Sequence, residues 1–242
     1  MVYVSDQYRL AFFAAPATGS TAVINTLQNA GIGRFLPETN LVRDGKRIAP
    51  RKHTTIEQMR DAGLYSEIED HMHVVGLRNP FSWFVAKHLR NRTKRMRNVE
   101  NRNSWIHDLP KKERESYIAN IRRQAEMPFD KFLKSTLGRR QPHDPQVHFH
   151  QGMHFYLHQE ALAEDFSELV RRLGLPEGLA LETHNVTGAM KKGETYHDFY
   201  DDDLVRLVYE KNAPFFDQFP EYSFKGYDAS RVREQEAQLG RY

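Results

Sequence analysis

The strongest chemical signal in the sequence is a turn of small and hydroxylated residues, Pro16-Ala17-Thr18-Gly19-Ser20-Thr21. An apolar run from Arg9 to Ala15 predicts a buried strand before it, and a helical pattern follows it and ends near Gly31. A turn between a strand and a helix presents backbone N–H groups at the positive end of the helix dipole, where a phosphate group is stabilised. The turn is neither a Walker A loop nor a dinucleotide fingerprint. A hydroxyl-rich helix cap without a ligand fits the same residues, so both interpretations stay open.

An arginine at the end of a second predicted strand is a candidate for a second phosphate-binding site. The strand covers residues 73–77 (HVVGL), and Arg78-Asn79-Pro80 forms the turn before a helix that starts near Phe81. Ligands of open α/β sheets bind at the carboxyl ends of the strands, and a guanidinium there binds phosphate through two N–H groups. An arginine that caps carbonyl groups or pairs with a surface acid is the alternative. Two phosphate sites on neighbouring strands suit a nucleotide phosphorylated at both ends of its ribose.

Taken together and in order, these segments and several later ones resemble the carbohydrate-type sulfotransferases, which use 3′-phosphoadenosine 5′-phosphosulfate (PAPS). The matching segments are FFAAPATGSTAV (12–23), RKHTT (51–55), VVGLRNPFSWFV (74–85), HFHQ (148–151), EALAEDF (160–166) and THNVT (183–187). The resemblance implies that the turn from Pro16 to Thr21 binds the 5′-phosphosulfate end of PAPS and that Arg78 binds its 3′-phosphate. It also implies donor contacts at Ala86 and at Lys191-Lys192-Gly193, a segment similar to a loop that closes over the 3′-phosphate.

Two positions depart from the family pattern. Ala17 stands where the family has a lysine that contacts the oxygen bridging phosphate and sulfate, and Ala86 stands where it has a serine that contacts the 3′-phosphate. Losing one electrostatic contact of this kind costs roughly 10²–10³ in rate. Lysines or arginines near the site are candidates to replace the missing cation: Lys52, Lys87, Arg9, Lys191 and Lys192.

Two other functions therefore remain as alternatives. The first is a catalytically degenerate relative that binds PAPS, or its product 3′-phosphoadenosine 5′-phosphate (PAP), as a scaffold protein. The second is a nucleotide-dependent kinase. The kinase is disfavoured because the turn has no lysine and no acidic residue of the Walker B type follows a strand.

Sulfuryl transfer to a hydroxyl is aided by a base, and His53 is the predicted one because its segment resembles a K-H motif of the family and histidine titrates near neutral pH. Glu57, one helical turn later, is predicted to orient His53 or to act as the base itself, whereas a merely helix-flanking His53 is the alternative. The acceptor is expected to be a saccharide or a small hydroxylated metabolite, including anionic ones. Its predicted contacts are Lys52, Lys87, His148 and Gln151.

The histidines at 148, 150, 154 and 158, together with Asp144, raise the question of a metal site. They form no compact motif such as H-E-x-x-H, and His154 and His158 flank Tyr156 on one face of a predicted strand over 153–159, so no metal is expected.

The basic run from Lys87 to Arg102 is predicted to be a helix end followed by an exposed, mobile loop. The run lacks interleaved aromatic residues, which argues against nucleic-acid binding. A solvated surface or one that attracts an anionic acceptor is expected instead.

The amino-acid composition excludes several classes of site and of protein. The chain has 242 residues, of which 39% are hydrophobic, no cysteine, and a formal net charge of 35 − 32 = +3. Disulfides, thiolate nucleophiles and cysteine-ligated metals are therefore excluded. No stretch approaches ~20 apolar residues and no secretory signal is evident, so a cytoplasmic protein without a membrane partner is expected, and its oligomeric state is not predicted.

We predict a single α/β domain over residues 1–227 with a polar tail over 228–242. The domain is expected to hold a mostly parallel sheet flanked by helices, laid out as in P-loop kinases and sulfotransferases. Helices are predicted over 111–123, 128–137, 162–173 and 201–211, and Thr54 with Glu57 is predicted to cap a helix that runs to Ala62. The aromatic residues after Pro214 are predicted to pack in the core.

Overall fold

A computed structural model describes residues 2–43, 46–49, 53–138, 146–181, 190 and 192–232. The chain divides into two compact units: Met1–Arg78 with Pro145–Val186, and Asn79–Asp144 with Thr187–Tyr242. The division does not test whether residues 1–227 fold as one domain, so that expectation stays a prediction.

The β-strands of the described residues are β1 (Val2–Ser5), β2 (Leu10–Phe13), β3 (Arg34–Leu36), β4 (Leu41–Arg43), β5 (Lys46–Ala49), β6 (Met72–Leu77), β7 (Phe155–His158), β8 (Tyr222–Ser223) and β9 (Gly226–Tyr227). The α-helices are α1 (Ser20–Asn29), α2 (Ile56–Asp61), α3 (Pro80–Arg90), α4 (Met96–Glu100), α5 (Lys111–Glu126), α6 (Phe129–Leu137), α7 (Val147–His150), α8 (Leu162–Leu173), α9 (Asp202–Lys211) and α10 (Ala213–Gln218). Short 3₁₀ turns cover Tyr65–Glu67, Trp105–Asp108, Gln159–Ala161 and Tyr196–Phe199. None of these helices has both the length and the apolar composition that crossing a bilayer requires.

The first unit contains a five-stranded sheet with the order β3-β1-β2-β6-β7. β2, β6 and β7 are mutually parallel, and β1 is antiparallel to both of its neighbours, so four of the five strands run in one direction. The expected α/β class, with a mixed and mostly parallel sheet flanked by helices, is confirmed. β1 is a strand that the sequence analysis did not predict.

The carboxyl ends of β2, β6 and β7 lie at one edge of this sheet, as their parallel pairing requires. The parallel strands are almost wholly buried, which is why they consist of continuous apolar runs. α1 contributes Val23 and Leu27 to the apolar core on the sheet, and α8 contributes Phe166 and Leu169. This packing fixes the start of α1 at the carboxyl end of β2.

The second unit has an aromatic core around Phe81 at the start of α3. Tyr200, Tyr209 and Phe224 place their ring centres 5.0–5.4 Å from the Phe81 ring, mostly edge to face. Further along the chain, the aromatic residues with the least exposure are Phe215, Phe219 and Tyr222. The expectation that the aromatic segment after Pro214 packs in the core is confirmed.

The basic run is helical and not a loop, which corrects the sequence analysis. After α3 the chain continues through a π-helical segment, Asn91–Arg95, directly into α4. Val99 of α4 is buried against Ile106 and Ile121, so the segment has the apolar anchor that the sequence analysis did not count. A polar contact adds to it, because the buried Asn91 amide donates a hydrogen bond of 2.7 Å to Oε1 of Gln124.

The cap of α2 lies one residue later than predicted. The hydroxyl of Thr55 accepts a hydrogen bond from the backbone N–H of Gln58, and Oε1 of Gln58 accepts one from the N–H of Thr55. This reciprocal pair is a capping box, so Thr55 with Gln58 takes the place that we expected for Thr54 with Glu57. Glu57 is thereby left on the exposed surface of α2.

Candidate active site

The predicted phosphate-binding turn connects the carboxyl end of β2 to α1. Ala17 and Gly19 both have left-handed backbone conformations, with φ values of 64° and 81°. A residue with a Cβ atom pays roughly 1–2 kcal/mol for this conformation, and such residues are found preferentially at functional sites. Gly19 also has a close neighbour, because a methyl group there would come 2.5 Å from Cδ2 of Leu162 at the start of α8. The turn is therefore a tightly constrained loop.

The hydroxyl groups of Thr18 and Ser20 form hydrogen bonds within the loop. The Thr18 hydroxyl donates to the carbonyl oxygen of Ala15 at 3.0 Å, and the Ser20 hydroxyl donates to the same oxygen at 3.2 Å. Both side chains are buried. Gly76 of β6 makes room for Thr18, because a methyl group there would lie 2.5 Å from its Oγ1 atom. The proton of each hydroxyl is used inside the loop, so these hydroxyls position the loop backbone.

The donors that remain are backbone N–H groups. Within the described part of the chain, the N–H groups from Ala17 to Thr21 donate to no acceptor, and the first backbone bond of the turn is from Ala22 to the Gly19 carbonyl. Consecutive N–H groups in such a turn form a concave anion site, and the dipole of the ten-residue α1 adds positive potential there. The loop fits a phosphate or sulfate group.

The predicted second anion ligand, Arg78, reaches this loop. Its Nη1 atom donates to the carbonyl oxygen of Ala17 at 3.2 Å, and the side chain is partly buried. This is the carbonyl contact that a structural arginine would make, and it also brings a permanent cation to the loop. Arg78 thus lies beside the loop, as expected for two neighbouring anion sites.

Gln146 holds the backbone of Arg78 in place, and the sequence analysis did not identify it. Oε1 of Gln146 accepts from the Arg78 N–H at 2.9 Å, while its Nε2 donates to the Arg78 carbonyl at 2.8 Å. The side chain is fully buried. The two residues are 68 positions apart and belong to no common motif, so nothing in the sequence indicates the pair.

His53 also lies against the loop segment. Its Nδ1 atom is 2.7 Å from the carbonyl oxygen of Ala14, the residue that follows β2. A carbonyl oxygen only accepts hydrogen bonds, so Nδ1 carries the proton and the neutral ring has its lone pair on Nε2. His53 has a φ of 59°, the second strained residue of this region. The ring is oriented by a backbone carbonyl, whereas the roles predicted for Glu57 remain predictions.

Two predicted acceptor contacts and Glu57, a predicted catalytic residue, line one cleft of the first unit. Glu57, His148 and Gln151 are among the residues that line a cavity of about 360 Å³. Glu57 belongs to α2, which begins three residues after His53, and the other two belong to α7 and the turn that follows it. All three side chains are exposed.

The other predicted residues belong to the second unit or lie outside the described residues. Ala86 and Lys87 belong to α3 of the second unit, where Ala86 is buried and the Lys87 ammonium lies 4.7 Å from the centre of the Trp83 ring. Lys192 and Gly193 form an exposed turn of the same unit. Lys52 and Lys191 lie outside the described residues.

Arg9 cannot replace the missing lysine, which corrects one of the candidates. Arg9 precedes β2, so the whole strand separates it from the loop at the carboxyl end. Its guanidinium pairs with Asp70 at the opposite edge of the sheet.

The histidines considered as metal ligands have separate environments. His158, at the carboxyl end of β7, contacts Oδ2 of Asp165 through Nδ1 at 2.8 Å, and its backbone N–H donates to the same oxygen. The His154 ring is stacked on His73, and partial desolvation and then His73 lower its pKa. In the described ranges no group of three or more His, Asp or Glu side chains could hold a metal ion. Asp144 lies outside those ranges.

No protein-family model, no curated protein and no solved structure matches the chain.

Proposed function

We propose that this protein is a sulfotransferase that moves a sulfuryl group from PAPS to a hydroxyl of a saccharide or small hydroxylated metabolite. The observation that supports the proposal is the loop from Ala17 to Thr21, whose consecutive N–H groups have no acceptor among the described residues and which Arg78 contacts. Such a loop at the carboxyl edge of parallel strands favours a ligand with a phosphate-like end. The resemblance of the ordered motifs to the carbohydrate-type family supplies the identity of the donor.

In this proposal each part of the site has one task. The loop binds the phosphosulfate end of the donor through backbone N–H groups, and Arg78 binds the 3′-phosphate. PAPS, when bound, supplies the sulfuryl group. His53 takes the proton of the acceptor hydroxyl on Nε2, because its Nδ1 proton is engaged by Ala14. The contacts that the resemblance implies at Ala86 and Lys191-Lys192-Gly193 for the donor, and those expected at Lys52 and Lys87 for the acceptor, stay predictions.

One observation favours the second candidate function, a degenerate relative that binds PAP or PAPS without turnover. Ala17 brings no cation to the loop, and the departing phosphate oxygen gains negative charge in the transition state. Among the described residues of the first unit, Arg78 is the cation that hydrogen-bonds to the loop. Activity therefore depends on whether Arg78, or a lysine outside the described residues, supplies that charge.

Affinity measurements with matched nucleotides test the proposal. Isothermal titration calorimetry of the full chain is run with PAP, with 5′-AMP and with ATP plus magnesium. PAP is expected to bind more tightly than 5′-AMP by roughly tenfold to a hundredfold, because a charge-assisted contact to the 3′-phosphate contributes about 1.5–3 kcal/mol. Tighter binding of ATP with magnesium would favour the kinase, and binding of none of the three would overturn the proposal.

Two arginine variants assign the contact. Arg78→Ala is expected to reduce PAP affinity to that of 5′-AMP, and Arg171→Ala is the control, because Arg171 is an exposed residue of α8 that pairs with Glu168. An equal loss for both nucleotides would move Arg78 to the phosphosulfate end of the donor. Sulfate transfer from labelled PAPS to a panel of hydroxylated acceptors then separates an active enzyme from a degenerate one.

A further inference from the structure

The cleft that contains Glu57 is lined mainly by charged and polar side chains, with the apolar Ile56 among them. It is lined by Ile56, Glu57 and Arg60 of α2, by Tyr65, and by His148 and Gln151. Ile56 is buried, and a methyl group at Gly152 would come 3.2 Å from its Cδ1 atom, so α2 and the turn after α7 pack against each other below the cleft. Its volume of about 360 Å³ is at the small end for a ligand pocket.

Arg60 is a preoriented cation in this cleft. Its guanidinium carbon lies 4.6 Å from the centre of the Tyr65 ring. The N–H groups of a guanidinium lie in its own plane, so they can donate to a planar anion while the cation is attracted to the ring. Within the described residues no carboxylate lies at ion-pair distance from Arg60. The ring therefore holds the cation in position, and the cation keeps its capacity for an anionic ligand.

The charges of the lining favour an anion with a single negative charge. Arg60 contributes one positive charge to the lining and Glu57 one negative charge. A phosphate monoester with two negative charges would be repelled by Glu57 more strongly than a carboxylate, which carries one charge and can pair with Arg60. Planar carboxylates also match the guanidinium fork in geometry.

The spacing of Glu57 and Arg60 along α2 determines which groups the ligand needs besides its carboxylate. Glu57 and Arg60 are three residues apart and project on the same side of the helix, with roughly 5–6 Å between their Cβ atoms. A ligand whose carboxylate is bound by Arg60 thus presents its remaining groups to Glu57, His148 and Gln151, all of which hydrogen-bond to hydroxyls.

We infer that this cleft binds a small hydroxylated carboxylic acid, of the size of a sugar acid, and that Arg60 selects its carboxylate. Its role as the acceptor in sulfuryl transfer rests on the proposed function, but its binding does not. Glu57 faces the hydroxyls of the bound acid.

The test uses glucuronate and glucose as matched probes, because they differ only in the carboxylate. Their affinities for the full chain are measured by NMR titration, and PAP affinity is measured in parallel. Glucuronate is expected to bind at least roughly tenfold more tightly than glucose. Arg60→Met, which keeps an unbranched side chain over Tyr65, is expected to abolish this preference, and Arg60→Lys is expected to retain part of it. Arg122→Met is the control, because Arg122 is an exposed residue of α5.

The outcomes separate this inference from the proposed function. Equal or undetectable binding of the two probes, with PAP still bound, would overturn the inference and leave the proposed function in place. A glucuronate preference that survives Arg60→Met would also overturn it. A preference that is lost in Arg60→Met supports the inference even where PAP does not bind, and in that case only the proposed function fails. PAP affinity is expected to stay within about twofold of wild type in all three variants.

Discussion

Replacing Gln146 tests whether the cation beside the loop is held by a buried amide. In Gln146→Leu the N–H and the carbonyl of Arg78 lose their partners, at 2.9 and 2.8 Å, inside the protein. An unpaired buried polar group costs about 1–3 kcal/mol, so the two together lower the free energy of unfolding by about 2–6 kcal/mol. That is a large part of the total stability of an ordinary domain. Because Arg78 is no longer held, PAP affinity is expected to fall at least roughly tenfold as well.

Gln146→Glu gives the same test a pH-dependent readout. An ionised carboxylate still accepts from the Arg78 N–H but offers no donor to the Arg78 carbonyl, whereas a protonated carboxyl group supplies both. Burial raises the pKa of the introduced carboxyl above its unfolded value of about 4.3. The folded state then binds more protons than the unfolded state, so the stability of this variant falls as pH rises, by up to about 1.4 kcal/mol per pH unit. Its deficit relative to wild type is expected to be smallest near pH 5 and largest near pH 8.

Urea unfolding followed by tryptophan fluorescence measures both variants against wild type at each pH. Gln28→Leu is the control, because Gln28 is exposed on α1 and its replacement is expected to change stability by no more than about 0.5 kcal/mol. The reasoning is refuted if Gln146→Leu is as stable as Gln28→Leu, or if the deficit of Gln146→Glu does not depend on pH.

Two further predictions concern the loop and the second unit. Ala17→Lys restores a cation to the loop without new backbone strain, because Ala17 already has a φ of 64°. Its rate of sulfate transfer in the labelled-PAPS assay is expected to exceed that of the uncharged control Ala17→Met by roughly 10²-fold. Equal rates for the two variants would contradict this. Burial, followed by the charge of Arg92, lowers the pKa of His88 from 6.5 to about 4. As the pH falls, the unfolded state therefore binds the proton before the folded state does. The free energy of unfolding decreases between about pH 6.5 and about pH 4, by about 3 kcal/mol in all. His88→Leu is expected to flatten this part of the stability profile in urea unfolding measured from pH 4 to 7, and an unchanged slope would exclude His88 as the cause.

The sequence by itself determined the local elements and the loop. β2, the turn after it and α1 were predictable because a continuous apolar run, a glycine-containing turn and a 3.6-residue pattern are local signals. α8 was predicted with the bounds that it has, since its apolar stripe is strong and Gly174 ends it in the left-handed conformation. The prediction failed where the signal was weak: β1 has no apolar run as long as the one that marks β2, and the charges after Leu89 hid the apolar contacts of α4.

Only the tertiary structure decided how the candidate site is held together. The hydroxyls of Thr18 and Ser20 donate to the carbonyl oxygen of Ala15, and Thr18 packs in the space that Gly76 leaves. Gln146 and the stack of Arg60 on Tyr65 depend on contacts between segments distant in the chain or on side-chain conformations, for which residue type carries no signal. Local patterns follow from the geometry of neighbouring residues, whereas the partner of a buried polar group is fixed only when the whole unit folds.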